Sequence, residues 1–367
     1  MNRPTYIHQQ EGWPKLGFDA TTLAGPLSEV RLRQGQLLGR IAALGGMVLV
    51  DQPELRLRTL TQEVMNTSEI EGERLPEAQV RSSVARRLGL PIGHPTPAGR
   101  NVEGIVEVLL DATQRHAAPL DEARLFAWHA ALFPTGRSGM GPIRVGAWRD
   151  GPMLVVSGPM GRQHLHFEGP APERLPGEIA VFLRWLDQGQ QADPLLRAGL
   201  AQLWFLTIHP FEDGNGRVAR AITELVLARS EGSAERFYSL SRRIHAERSD
   251  YYAALERAQR GSLDVTEWLA WFLGCLGRAI GDGEVALDAV LVKARFWAAH
   301  AAADLDERQR KVVNALLDGF EGKLTTSKIA SMNHVSTDTA LRDLDALVTR
   351  GVLVRVGSGR GTHYLLR

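Results

Sequence analysis

Apolar residues recur every three or four positions through most of this 367-residue chain. That period commits it to amphipathic helices packed face to face. Leu27, Val30, Leu37, Leu38, Ile41 and Leu44 mark the pattern, which runs from Leu23 to about Leu90 and predicts an N-terminal helical domain over residues 1–95. Residues 89–100, GLPIGHPTPAGR, hold three prolines and three glycines without helical spacing, so a linker or long loop is expected there. A second domain, 96–285, is expected to carry helices at 101–115, 121–133, 173–187, 194–209, 216–230, 248–260 and 264–278. Between the second and third of these, AWRDGPMLVV and HLHFEGP have strand composition around Asp150-Gly151, which predicts a small hairpin. A third domain, 286–367, should begin with a linker helix. It continues with a helix in DERQRKVVNALLDGF, a short one after LTTSKIASM, a third opening at Ser336, and two strands in VLVRVGSGRGTHYLL about a Gly-rich turn. That order is a winged helix-turn-helix.

Composition narrows the function. Hydrophobic residues at 44% and charged residues at 23% support folded cores. Forty-three Lys and Arg against 42 Asp and Glu leave +1, which excludes a globally basic nucleic-acid coat, so any charged site must be local. The single cysteine, Cys275, sits in WLAWFLGCLG and reads as a small buried hydrophobe. With no disulfide to form, no apolar run of about 18 residues and no signal-peptide core in MNRPTYIHQQ, a cytoplasmic protein with no membrane partner is expected.

The segment richest in chemistry is HPFEDGNGRVAR, His209 to Arg220, between two helices. Gly214 and Gly216 flank Asn215 and let the backbone approach an anion, while the opening helix presents unpaired amides and the positive end of its dipole. This is a phosphate cradle. Arg217 and Arg220 lie three apart on one helical face and can reach one polyphosphate. Asp213 is a hard oxygen ligand suited to Mg²⁺, and His209 is the natural general base.

Position by position the segment matches HxFx(D/E)GNGRxxR, and the chain resembles the Fic family over roughly residues 100–278. The resemblance implies a Fic-type helical bundle, mainly α, with a β-hairpin flap beside the N-terminal helical domain and the winged helix. It implies a protein adenylyltransferase that moves AMP from ATP to a Ser, Thr or Tyr hydroxyl of a target protein or of itself. His209 would deprotonate the hydroxyl, and Asp213 would hold Mg²⁺. Gly214, Asn215 and Gly216 would line the α- and β-phosphates, Arg217 would contact the β-phosphate and Arg220 the γ-phosphate, with Phe211 anchoring the loop. Within NTSEIEGERL, Thr67, Glu71 and Gly72 match the family's inhibitory motif (S/T)xxxE(G/N), so Glu71 would pair with Arg220 and slow the resting enzyme. In some relatives this Glu positions water to remove AMP, so a de-AMPylating hydrolase is an alternative. A nucleotide-sensing DNA-binding regulator is another.

The flap, residues 153–167, could take an extended target segment as an added strand. His164 and His166 alternate on one face, and without a third ligand at useful spacing they read as a solvated strand face. Residues 306–367 hold ten Lys or Arg and seven Asp or Glu, but the third helix carries three aspartates. DNA binding through the winged helix and docking or homodimer formation both stay open.

Overall fold

The structure is a computed structural model that describes residues 6–44, 52–157, 164–188, 192–301 and 303–367. Its contacts divide the chain into two units at Gly283. The first contains α1 (Ala20–Leu44), α2 (Gln52–Ile70), α3 (Glu77–Arg87), α4 (Arg100–Gln114) and α5 (Glu122–Leu132). A two-residue ladder, β1 (Arg137–Ser138) with β2 (Gly141–Pro142), and a hairpin of β3 (Leu154–Ser157) and β4 (His164–Glu168) follow. Then come α6 (Leu175–Gln188), α7 (Pro194–Ile208), α8 (Asn215–Glu231), α9 (Leu240–Ala246), α10 (Arg248–Arg260) and α11 (Thr266–Ala299), whose residues from Glu284 on belong to the second unit.

Helix α7 is apolar all round and buried along nearly its whole length, as a helix wrapped by others must be. Asp193 caps it, accepting the Leu195 N–H at 2.8 Å, and Pro194 occupies the first turn where no amide partner is needed. The next helix, α8, packs along it. A buried ionic cluster braces the far half of α8: Arg236 donates to Glu224 at 2.8 Å and to Glu231 at 2.6 Å, and Tyr238 donates to Glu231. Burial pushes the Glu224 carboxyl up against the pull of Arg236. Removing the one cation that two buried carboxylates share leaves both uncompensated, so Arg236→Met is expected to cost about 3–5 kcal/mol, read as a lowered urea midpoint. Glu63 on α2 is buried too and accepts from Ser239 at 2.6 Å and from Ser241, which ties α2 to the start of α9.

Three expectations need correction. The hairpin is not centred on Asp150-Gly151: its rungs run from Leu154↔Glu168 to Ser157↔His164, and the central part of the flap, residues 158–163, lies outside the described residues. Asp150 and Gly151 form a bend instead, because Arg149 donates to the Gly151 carbonyl at 2.8 Å and Arg144 pairs with Asp150 at 2.6 Å. Helix α11 does not stop at 278; Ile280, Leu287 and Leu291 carry its buried stripe past Gly281 and Gly283. Helix α9 was not anticipated. Cys275 is fully buried, and burial pushes its thiol up to about 12.

The second unit holds α12 (Glu307–Leu317), α13 (Thr326–Asn333), α14 (Thr337–Thr349), β5 (Leu353–Val356) and β6 (His363–Leu366). Asp306, Thr325 and Ser336 cap the three helices with side-chain oxygens, and Leu353↔Leu366 to Val356↔His363 make the wing. Asp343, one of the three aspartates on α14, is buried and paired with Arg308 at 3.1 Å, so the exposed face of that helix is less acidic than its sequence reads. No helix among the described residues is long and apolar enough to cross a membrane.

Candidate active site

Helix α7 ends at His209, which adopts φ 49° and ψ 59°. A side chain other than glycine holds that left-handed conformation at a cost of about 1–3 kcal/mol, so surrounding contacts must enforce it. Arg149 supplies them. Buried, it donates Nε to the His209 carbonyl at 2.8 Å, and its own N–H goes to Pro210 at 2.9 Å. The imidazole Nδ1 lies 3.1 Å from the Leu206 carbonyl. A carbonyl only accepts, so Nδ1 carries the proton and Nε2 keeps its lone pair. Burial first, and the Arg149 charge among the lesser causes, lowers the His209 pKa to about 4, which leaves the ring neutral at pH 7.

The loop after it closes on itself. Asn215 accepts the Phe211 N–H at 3.0 Å and donates to the Phe211 carbonyl at 2.8 Å. That closure uses the amide oxygen and one of its two N–H donors. Phe211 is fully buried with its ring parallel to His129, centroids 4.1 Å apart. His129 accepts the Gly146 N–H at 3.1 Å and donates Nε2 to the Asp213 carbonyl at 3.1 Å. Burial lowers its pKa to about 4, as a ring that must accept at one nitrogen requires. The Asp213 carboxylate accepts the Gly214 N–H at 2.6 Å and the Ser138 hydroxyl. Gly214, at φ 79°, lies so close to Phe133 that a Cβ would stand 2.8 Å from its ring.

Two carboxylates from the turn after α2 reach the first turns of α8. Arg220, almost wholly buried, donates Nη2 to Glu71 Oε1 at 2.8 Å and to the Thr67 carbonyl at 2.8 Å, and Nε to the Thr67 hydroxyl at 2.7 Å. Burial would lower its pKa, but Glu71 holds it above the usual value. Gly72, at φ 84°, turns the chain, and Glu73 then meets Arg217 at 3.0 Å. The Glu71 carboxylate lies directly over Gly216, where even a methyl group would overlap Oε1. Arg220 Nη1 and Arg217 Nε are nonetheless buried donors without an acceptor among the described residues. A cavity of about 630 Å³ opens beside Arg217, lined also by Glu71, Glu73, Phe133, Ser138 and Asp213.

Every residue singled out in the two motifs thus converges on one place. Glu73, His129, Ser138 and Arg149 were not foreseen. Only Glu73, two positions after Glu71 in EGE, carried a local signal.

Comparison with known proteins agrees with this geometry. Residues 119–227 match the Fic/DOC family, residues 6–90 a domain of unknown function (DUF4172), and residues 309–367 the "Transcriptional regulator DIP2311-like, C-terminal domain". Protein adenylyltransferase fic-1 of Caenorhabditis briggsae is 36% identical over 99 residues, 26% of this chain and 18% of its own length. A probable protein adenylyltransferase of Aquifex aeolicus is 30% identical over 104 residues, 28% of this chain and 30% of its own. The chain thus spans less than a third of the length of these curated relatives. In fold it is similar to a Fic family protein from Desulfovibrio desulfuricans G20, with TM-score 0.57 and 21% identity over 96% of this chain and 97% of that one. Loop geometry, family match and mainly helical fold agree: residues 119–227 of this chain match the Fic/DOC family.

Proposed function

We propose that this protein is a nucleotidyltransferase that moves AMP from ATP to a Ser, Thr or Tyr hydroxyl of a protein, itself included, and that it rests with its nucleotide site closed by its own carboxylates. The observation that carries this reading is Glu71: it sits over the opening of α8, bonded to the arginine that a terminal phosphate needs, while buried Arg220 Nη1 and Arg217 Nε still lack an acceptor. Buried donors of this kind are normally satisfied, and a polyphosphate supplies the missing oxygens.

In this reading the polyphosphate displaces Glu71 and lies along the α8 amides, with Arg217 and Arg220 on its terminal groups. His209 Nε2 takes the proton of the target hydroxyl, whose oxygen bonds to the α-phosphorus as the bond to pyrophosphate breaks. Asp213 fits a small divalent cation such as Mg²⁺, because its hard, partly exposed carboxylate borders the cavity, and the cation would neutralise charge on the phosphates and the leaving group. The target chain pairs with the β3–β4 hairpin, whose exposed Leu154, Val156 and Leu165 offer an apolar face to its side chains. Tyr252, partly exposed on α10 with its hydroxyl 3.4 Å from the Ile70 carbonyl, would border the nucleoside in this reading.

The test is label transfer. Purified Glu71→Gly protein is expected to retain label from α-labelled ATP and none from γ-labelled ATP; retention of the γ-label alone would mean a kinase, and retention of neither would end the proposal. Glu73 is a second, weaker latch. Its side chain is 35% exposed, so freeing Arg217 should gain little. In the Glu71→Gly background, Glu73→Ala is expected to lower the KM for ATP by roughly two- to fivefold, and an unchanged KM would remove Glu73 from the latch.

A further inference from the structure

We infer that His164, His166 and Glu256 form a site for a borderline divalent metal ion of the zinc class, which pins the hairpin to α10. His164 and His166 stand two apart on β4, at the register shift in the hairpin, and their side chains still meet. Their rings lie 4.6 Å apart at 79°. Glu256 comes up between them from α10, with Oε2 2.8 Å from His166 Nδ1 and Oε1 3.9 Å from His164 Nε2. One ligand atom from each of the three residues falls within 4.8 Å of the others. Around tetrahedral zinc such atoms stand about 3.3 Å apart, given zinc–nitrogen bonds of roughly 2.0–2.1 Å. A contraction of up to about 1.5 Å is within reach of the His164 side chain, 66% exposed at the end of its strand. The third ligand that the local sequence lacks is thus supplied 90 residues away.

The donor set selects the ion. Two imidazoles and one carboxylate suit zinc and its first-row neighbours, whereas Mg²⁺ and Ca²⁺ prefer oxygen alone. Three protein ligands leave a fourth position for water. Arg260 faces the same carboxylate, at 3.3 Å from Glu256 Oε1, and its charge weakens cation binding. It also donates to the carbonyls of His166 at 2.9 Å and Leu165 at 2.5 Å, so it keeps acceptors when Glu256 turns to a metal. The bound ion would join β4 to α10 through side chains and hold the hairpin in register. The site does not depend on the activity proposed above, and its test reads metal binding alone.

The full-length protein, stripped with a chelator and dialysed, is titrated with zinc chloride by calorimetry and separately with cobalt chloride by visible absorption. One zinc per chain and an intense four-coordinate cobalt spectrum are expected. His164→Ala, His166→Ala and Glu256→Gln should each weaken zinc binding by about tenfold or more and abolish that spectrum, while exposed His94→Ala leaves both unchanged. Far-ultraviolet circular dichroism establishes that each variant is folded. Zinc should also slow amide exchange in residues 164–168 of the unmutated chain. Absence of stoichiometric zinc binding, equal binding by wild type and all three ligand variants, or exchange at 164–168 indifferent to zinc would overturn the inference.

Discussion

Glu71→Gly is expected to raise AMP incorporation from α-labelled ATP by roughly 10- to 100-fold. The size follows from what the carboxylate does in the resting protein. A charge-assisted bond to an almost fully buried guanidinium is worth about 1.5–3 kcal/mol, and each 1.4 kcal/mol is about tenfold in an equilibrium. Glu71 makes that bond to Arg220 and also fills the space over Gly216. Removing it frees both the cation and the volume. Thr67 continues to hold Arg220 through two bonds of 2.7 and 2.8 Å, so the arginine keeps its place and the gain is one of access rather than of disorder. Equal incorporation by wild type and variant would show that the Glu71–Arg220 pair is structural only. Conversely, if wild type strips AMP from pre-labelled protein and Glu71→Gly does not, Glu71 serves a hydrolase.

His209→Ala in the same Glu71→Gly background removes that incorporation by about 10²- to 10⁴-fold, the usual contribution of a positioned proton acceptor. Its pH dependence discriminates further. The folded-state pKa of His209 is lowered to about 4, so the neutral, proton-accepting form persists well below the ordinary imidazole range and is lost only as pH falls towards about 4. Glu71 raises this pKa, so the loss of its charge by itself lowers the value further. The kcat/KM of Glu71→Gly should therefore stay level from pH 8 to near 5, because that ratio reports the free enzyme. A fall centred near 6.5 would mean that the ring is solvated in the active protein and that its burial by Leu206 and Arg149 does not survive the opening of the site.

The loop from His209 to Arg220 was legible because its geometry is made locally. Asn215 closes it on Phe211 four residues earlier, Gly214 caps α8, and the two arginines are one helical turn apart. In the second unit the opening of α14 at Ser336 was legible as an oxygen cap, whereas α13, expected after LTTSKIASM, lies within that segment with Thr325 as its cap. Arg149 was not. It acts on a carbonyl 60 residues away, and an arginine gives no sequence sign that it will be buried among main-chain oxygens. His129 and Ser138 reach Asp213 across 84 and 75 residues.

By itself, then, the sequence determined most of the helices after residue 100, where the glycine-rich turn lies and which side chains flank it, since propensity, capping and glycine freedom act over a few residues. Only the tertiary structure decided that Glu71 and Glu73 both cover that turn, that Arg149 forces His209 into its left-handed, neutral state, and that Glu256 joins two flap histidines. Burial and charge pairing are properties of groups brought together in space, and a linear spacing rule carries no information about partners 60 to 149 residues apart.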